Sequence, residues 1–277
     1  MMRLKDLSCP AEHDNETCRG AEDEPMEVLR LAARLIMENG GESFRVEETI
    51  SRMGKCFGLE EVECFAAPSG IFFSYKKPSG QTETAILRVR VKETDLNRVD
   101  QVNHVSRDLA EGRIAPSEAM GLLREIEQQP TVFPYWLVCL AVGITALGFT
   151  MMFQGNLADC LIALVITSLV WAGNRLLQKI RISGNAPTLL NSFLNTFLVL
   201  ILCRLTGLGN TATIIPGVLM PLVPGLAMTS GVQDTVRGDM LSGLSHGIQA
   251  ILTAVLIAAG VLTATTLVNY ILPLGGA

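Results

Sequence analysis

Two sets of polar residues and one run of helix breakers stand out in the second half of this 277-residue chain. Asn191 and Asn195 are four residues apart, so on a helix they share a face, with Ser192 and Thr196 beside them. Ser242, Ser245, His246, Gln249 and Thr253 fall at i, i+3, i+4, i+7 and i+11, which is one polar stripe. Both sets lie inside apolar runs. Their amides, hydroxyls and imidazole offer hydrogen bonds and a proton site. The simpler use of the serines and threonines is hydrogen bonding between helices. Two asparagines, a glutamine and a histidine at that depth fit a polar route through lipid.

Between the two sets runs "IIPGVLMPLVPGLAMTSGVQD", residues 214–234. It is apolar enough to cross a bilayer, yet it holds Pro216, Pro221 and Pro224, with Gly217 and Gly225 after two of them. Each proline removes a backbone donor. At bilayer depth the freed carbonyls need protein, an ion or cavity water as partners. The spacing therefore predicts an unwound segment with half-helix ends near the midplane, where the positive end attracts a carboxylate. A tightly packed, kinked structural helix is the alternative. Asp234, Arg237 and Asp239 follow, placed to relay protons or gate entry; helix capping and an i, i+3 ion pair are the simpler use. Asp159 reads as a capping acid near the outer end of its span.

The elements that must position these residues follow from charge and hydropathy. Residues 1–133 hold 17 Lys/Arg and 24 Asp/Glu, a net of −7; residues 134–277 hold 5 and 3, a net of +2. A stretch so poor in charge is not the surface of a soluble domain. With ~20 apolar residues needed per crossing, five spans are expected at 134–153, 157–173, 188–208, 211–232 and 241–268. The second is short. The fifth is about 40 Å long at 1.5 Å per residue, long enough to tilt or project. Arg175, Lys179 and Arg181 between spans two and three, and Arg237 between four and five, put those loops in the cytoplasm. The N-terminal domain is then cytoplasmic and the C-terminus periplasmic.

Ahead of the spans the pattern is that of a soluble α+β domain at 26–130, in the order ααβββαα. Val28, Leu31, Ala32, Leu35 and Ile36 share a helical face, and Gly40–Gly41 end it. A second helix follows from Ser43, its expected cap, to Phe57. "EVECFAA", "GIFFSYKK" and "TETAILRVRV" alternate with a period of two, separated by turn residues. Two more helices are expected at 95–110, capped by Thr94 or Asp95, and at 116–128, opened by Pro116. Residues 1–25 are acidic and read as a disordered tail, with no apolar core of a secretory signal.

Nothing in the domain brings a nucleophile, a base and an orienting group together. His13 and His104 are isolated, Glu47 and Glu48 point to different sides of a helix, and Ser69 and Ser79 sit in turns. No enzyme activity, cofactor or catalytic residue is expected. The seven cysteines form no CxxC pair, so neither a disulfide framework nor a metal site is expected. The absence of a basic cluster argues against nucleic acid. No GxxxxGK[ST] motif is present, which leaves gradients as the energy source.

The stretch "PGVLMPLVPGLAMTSGVQDTVRGDMLSGLSHGIQAILTAVLIAAGV" resembles the signature of the bacterial threonine/serine exporter family, and most of all its YjjP-type members. "LAARLIMENGGESFRVEETISRMGKCFGL" resembles that family's amphipathic opening. The likeness runs from about 26 to 272. It implies export of a small carboxylate across the bacterial inner membrane: succinate for the YjjP type, threonine and serine for the family at large. It also implies a hetero-oligomer, in which a small YjjB-like membrane protein supplies the second half of the transporter. On this reading Pro216, Gly217, Pro221, Pro224 and Gly225 cradle the substrate, and Asn191, Asn195, His246 and Gln249 line its route. The core of spans three to five shows no deep acid for an ammonium, which favours a carboxylate over an amino acid. A membrane-tethered enzyme or sensor is a further alternative.

Overall fold

The computed structural model describes residues 24–90, 94–130, 133–179 and 186–272. The expected tail is almost wholly outside these ranges, as are His13 and Arg181. The described residues fall into two compact units divided between Gln129 and Pro130.

The first unit has the order α1 (Glu24–Glu38), α2 (Ser43–Cys56), β1 (Glu60–Ala67), β2 (Gly70–Lys76), β3 (Thr82–Arg88), α3 (Leu96–Ala110) and α4 (Pro116–Gln128). Val28, Ala32, Leu35 and Ile36 of α1 are buried in one core with Val46, Ile50 and Met53 of α2 and with Leu123 and Ile126 of α4. The chain leaves α1 through Gly40 at φ +84, and a Cβ at Gly41 would stand 2.8 Å from the Ile36 carbonyl oxygen. The three strands form an antiparallel sheet in the order β1-β2-β3. Ile71, Phe73 and Tyr75 point into the core, as the period of two requires. Phe65, Phe72 and Ile86 are paired across the strands on the other, exposed face.

The caps sort by side-chain geometry. Asp95 caps α3, its Oδ1 accepting from the Arg98 amide at 3.3 Å. Pro116 opens α4, and Glu118 reaches back to accept from the Ala115 amide at 2.9 Å. Ser43 does not cap α2. Glu42 holds the cap position, pairing with Arg45 at 2.5 Å, while Ser43 is the first helical residue and is buried. A side chain turned into the core cannot reach the free amides of the first turn.

Buried Tyr75 donates to Glu83 Oε2 at 2.6 Å, and Lys77 pairs with Glu83 at 2.7 Å. The bonds from Lys77 and then Tyr75 hold the Glu83 carboxyl below its ordinary range. Burial, reinforced by the Glu47 carboxylate, pushes the Cys64 thiol up to about 12. Little thiolate then exists at pH 8. Iodoacetamide at that pH is expected to alkylate Cys64 on the order of a thousandfold more slowly in the folded than in the unfolded chain. Peptide mapping after native and denatured alkylation reads this directly, and equal rates would contradict the placement of the thiol.

The second unit is helical throughout: α5 (Tyr135–Met152), α6 (Leu157–Lys179), α7 (Ala186–Thr206), α8 (Thr211–Leu219), a 3-10 turn (Met220–Leu222), α9 (Gly225–Arg237) and α10 (Met240–Ile271). α5, α6, α7 and α10 are each long and apolar enough to cross a membrane. The α8–α9 pair passes the same test only when taken together, bent by 58° at its break. Ile144, Leu161, Leu169, Ile251 and Leu262 face outward, as lipid-facing side chains do. α6 runs past the expected end at 173 to Lys179, because Asn174 and Arg175 continue the helix beyond the point where hydropathy falls. α10 has 32 residues, about 48 Å at 1.5 Å each.

Small residues let these helices approach closely. A Cβ at Gly143 would meet Ser168 Oγ and stand 2.7 Å from the Leu164 carbonyl oxygen, so α5 lies hard against α6. Ala146, Ala163, Ile166, Val199, Ile214 and Val218 form the core that holds α8 among α5, α6 and α7. α10 packs on α7 through its C-terminal half, where Gly260 faces Ser192, and on α9 through its N-terminal half, where Gly243 faces Gly231. Arg204, at the end of α7, donates to the Val268 and Leu272 carbonyls and to Asn269, closing the end of α10.

Candidate functional site

The break in the α8–α9 pair is built residue by residue. Asn210 caps α8, its Oδ1 accepting from the Ala212 amide at 3.0 Å. Asp159 anchors the same start. Its carboxylate accepts from the amides of Asn210 at 2.8 Å and Asn156 at 3.0 Å, and from the Thr213 hydroxyl at 3.2 Å. Asp159 is therefore a capping acid that also ties the head of α6 to the head of α8.

The three prolines act differently. Pro216 sits inside α8, and the helix continues through it. Gly217 beside it is buried, and a Cβ there would stand 2.9 Å from Thr150 Cβ and 3.0 Å from Thr150 Cα, so its place is a tight contact with α5. Pro221 lies in the 3-10 turn. Only Pro224 coincides with the break. Its φ of −78 and ψ of 62, with the Gly225 amide donating to the Val223 carbonyl at 2.8 Å, make an inverse γ-turn. α9 begins at once, the Met228 amide donating to the Pro224 carbonyl at 3.0 Å. Its first-turn amides lie at the break, the electropositive end of the helix. Val223 and Gly225 are exposed, and no atom lies within 4 Å of a Cβ placed on Gly225.

The polar residues occupy two levels. Asn191 and Asn195 are buried on α7, with Asn195 Nδ2 donating to the Asn191 carbonyl at 2.9 Å. The side-chain oxygens of Asn191, Asn195 and Thr196 have no hydrogen-bond partner among the described residues, nor do those of Thr167 and Asn174 on α6. Ile162 and Cys203 meet at Gly209. Since α6 and α7 run antiparallel, twelve residues along each places Asn174 level with Asn191. Thr167 and Asn174 are seven apart, two turns on one face; that spacing is readable in the sequence, but the hydropathy of the run hides it. Several buried oxygens without partners mark a seam that calls for water, substrate or a further polar group.

The second level is the α9–α10 hairpin. A Cβ at Gly243 would stand 3.0 Å from the Gly231 carbonyl oxygen and from the Thr235 amide. This closeness sets buried Asp234 of α9 against His246 of α10, Oδ2 to Nε2 at 3.7 Å. Asp239 caps α10, accepting from the Ser242 amide at 3.1 Å, after Gly238 turns the chain at φ +94. Arg237 and Gln249 are exposed. His246 lies 14 residues before Gly260, which faces Ser192, so it is about 21 Å along α10 from the level of Asn191 and Asn195. The sequence-predicted route residues thus form two groups, with the break on a separate segment. Asp234, near the C-terminal end of α9, is 2% exposed.

In the first unit the groove between α1 and α4, about 350 Å³, is lined by Arg30, Arg34, Arg124, Glu27 and Glu127 over an apolar floor, and Arg34 pairs with Glu127. It holds no hydroxyl or thiol nucleophile. Among the described residues no three His, Cys, Asp or Glu side chains come together as metal ligands do.

Residues 27–268 match the family described as "Putative threonine/serine exporter" (ThrE). The chain is 26% identical over 245 residues to the "Probable succinate transporter subunit YjjP" of Escherichia coli, covering 87% of this chain and 94% of that protein. The Klebsiella aerogenes protein of the same name is 24% identical over 244 residues, covering 87% and 93%. The "Probable threonine/serine exporter" of Mycobacterium tuberculosis is 23% identical over 239 residues, which is 85% of this chain and 45% of that longer one. No solved structure matches. With nearly its whole length inside the match and its apolar helices in place, the chain belongs to the threonine/serine exporter family of transporters.

Proposed function

We propose that the chain is one subunit of a secondary transporter that exports a succinate-like dicarboxylate across the bacterial cytoplasmic membrane. A small YjjB-like membrane protein supplies the other half. The observation that carries this reading is the open break at Val223–Gly225, an inverse γ-turn feeding directly into a helix N-terminus within an apolar segment. Such an end favours a carboxylate. The two relatives covered almost end to end are named succinate transporter subunits, which supports both the substrate class and the need for a partner.

On this reading the carboxylate meets Pro221, Pro224 and Gly225, with Pro216 and Gly217 shaping α8 behind them. Asn191 and Asn195 serve one level of the route, and His246 and Gln249 the other. Arg237 and Asp239 stand at its cytoplasmic mouth. The loop bases Arg175, Lys179, Arg181 and Arg237 support a cytoplasmic first unit, a soluble domain at 26–130, and a periplasmic C-terminus.

A second reading, export of threonine and serine, is favoured by one observation. Buried Asp234 offers a carboxylate to an ammonium. Metabolite efflux separates the two. Cells deleted for this chain are expected to retain succinate, and to release it again when the chain and its partner are both restored. Retention of threonine and serine alone would move the assignment to the second reading. If neither accumulates on deletion, both readings fail.

A further inference from the structure

We propose that the groove between α1 and α4 is a second ligand site, built for a small dicarboxylate; that this ligand is the exported compound itself rests on the transport reading above. Helical periodicity builds the walls. Glu27, Arg30, Leu31 and Arg34 fall at i, i+3, i+4 and i+7 of α1, so they share one face. Met120, Arg124 and Glu127 fall at i, i+4 and i+7 of α4 and do the same. Ala32, Leu35, Leu123 and Ile126 of the same helices turn into the core and hold the walls in place.

The charges on the walls do not balance. Arg30 and Arg34 are one turn apart on α1, where like charges repel, and Arg124 faces the same groove from α4. Arg34 is answered by Glu127. Among the described residues Arg30 and Arg124 form no ion pair, and of the two lining acids only Glu27 is left to set against them. Each wall therefore offers one uncommitted guanidinium. A guanidinium takes a carboxylate through two parallel N–H bonds. Between them the floor is apolar: Leu31 is buried, and Met120 and Leu87 of β3 are partly so. A carboxylate at each end of a short methylene spacer satisfies both walls and covers the floor. The volume, about 350 Å³, is at the lower end of the range for small-molecule sites.

Other small anions fit less well. A monocarboxylate leaves one guanidinium unmatched, inorganic phosphate leaves the floor bare, and a zwitterion brings an ammonium to a groove already positive. A second groove, beside α2, shows the contrast: Arg52 there pairs with Glu48 and bonds to Ser106. α4 is also the last element before the first apolar helix. A ligand bridging α1 and α4 acts on the segment that leads into the second unit. The first unit thereby reads the level of the compound that the second exports.

The test follows amide hydrogen exchange of α1 and α4 in the full chain, purified in detergent with its YjjB-like partner, with and without succinate. Succinate at about ten times its dissociation constant is expected to slow exchange through local opening of these helices by about tenfold. Arg30→Gln combined with Arg124→Gln should remove the protection, since each loss weakens binding by about tenfold or more. Arg88→Gln combined with Arg107→Gln takes the same charge from exposed positions outside the groove and should keep it. Succinate that leaves α1 and α4 unprotected, or protection that survives the loss of Arg30 and Arg124, overturns the proposal. Equal or stronger protection by propionate, threonine or inorganic phosphate overturns the choice of a dicarboxylate. Efflux from cells separates this proposal from the transport reading. Succinate export with an unprotected groove overturns the proposal alone. Protection without export keeps the site but overturns the transport reading, and with it the identity of ligand and cargo.

Discussion

Gly260→Leu is expected to separate α7 from α10 and to destabilise the second unit by about 3 kcal/mol or more. A Cβ at Gly260 would meet Ser192 Oγ, and would stand 2.7 Å from the Leu189 carbonyl oxygen and 2.9 Å from the Phe193 amide nitrogen. Two of these three are backbone atoms of a helix, which cannot swing aside as a side-chain tip can. Relief requires the helices to move apart, and α7 is the main support of α10 outside its hairpin with α9. The Arg204 bonds at the far end of the same seam would be strained with it. The unfolding midpoint in detergent reads the loss of stability. Gly148→Leu is the matched control, because no atom lies within 4 Å of a Cβ there. Equal midpoints for the two variants would contradict the close packing of α7 on α10.

Much of this architecture could be read from residue types. The alternation in "GIFFSYKK" places Ile71, Phe73 and Tyr75 on one face, and those side chains are buried. Hydropathy finds the long apolar helices, since lipid imposes a length that few other environments do. Capping is legible at Asp95, where the side chain is free to bond its own helix, and illegible at Ser43, whose burial depends on packing from elsewhere in the chain. The prolines show the same limit. Three within nine residues look equivalent, yet Pro216 is accommodated in α8 while Pro224 breaks the segment. At Pro216 the backbone stays helical and Gly217 lets α8 sit tightly on Thr150, whereas at Pro224 the backbone leaves the helical region. Helical periodicity likewise puts Asn191 with Asn195, and His246 with Gln249, because it reports which face a residue occupies. It says nothing of the level at which two helices meet. That level is set by Gly260 against Ser192 and by Gly243 against Gly231, pairs drawn from different helices.

The second large effect is expected at the break itself. If the carboxylate of the substrate rests on the first turn of α9, a group placed at Gly225 must be reachable from water when the site is empty and covered when it is filled. Gly225 suits a probe, since it is exposed, its φ is not in the left-handed region, and the space for a Cβ is clear. Asn210, Thr213 and Asp159 hold the other end of α8 fixed, so a cysteine at the break leaves the anchoring intact. The most direct measurement is therefore the labelling rate of Gly225→Cys by a membrane-impermeant thiol reagent. It is made in an otherwise cysteine-free chain expressed with its partner, with and without substrate. Succinate at about ten times its dissociation constant should slow labelling by about tenfold. Labelling that proceeds at one rate in buffer, in saturating succinate and in saturating threonine would show that substrate does not pass the break, and would contradict the account.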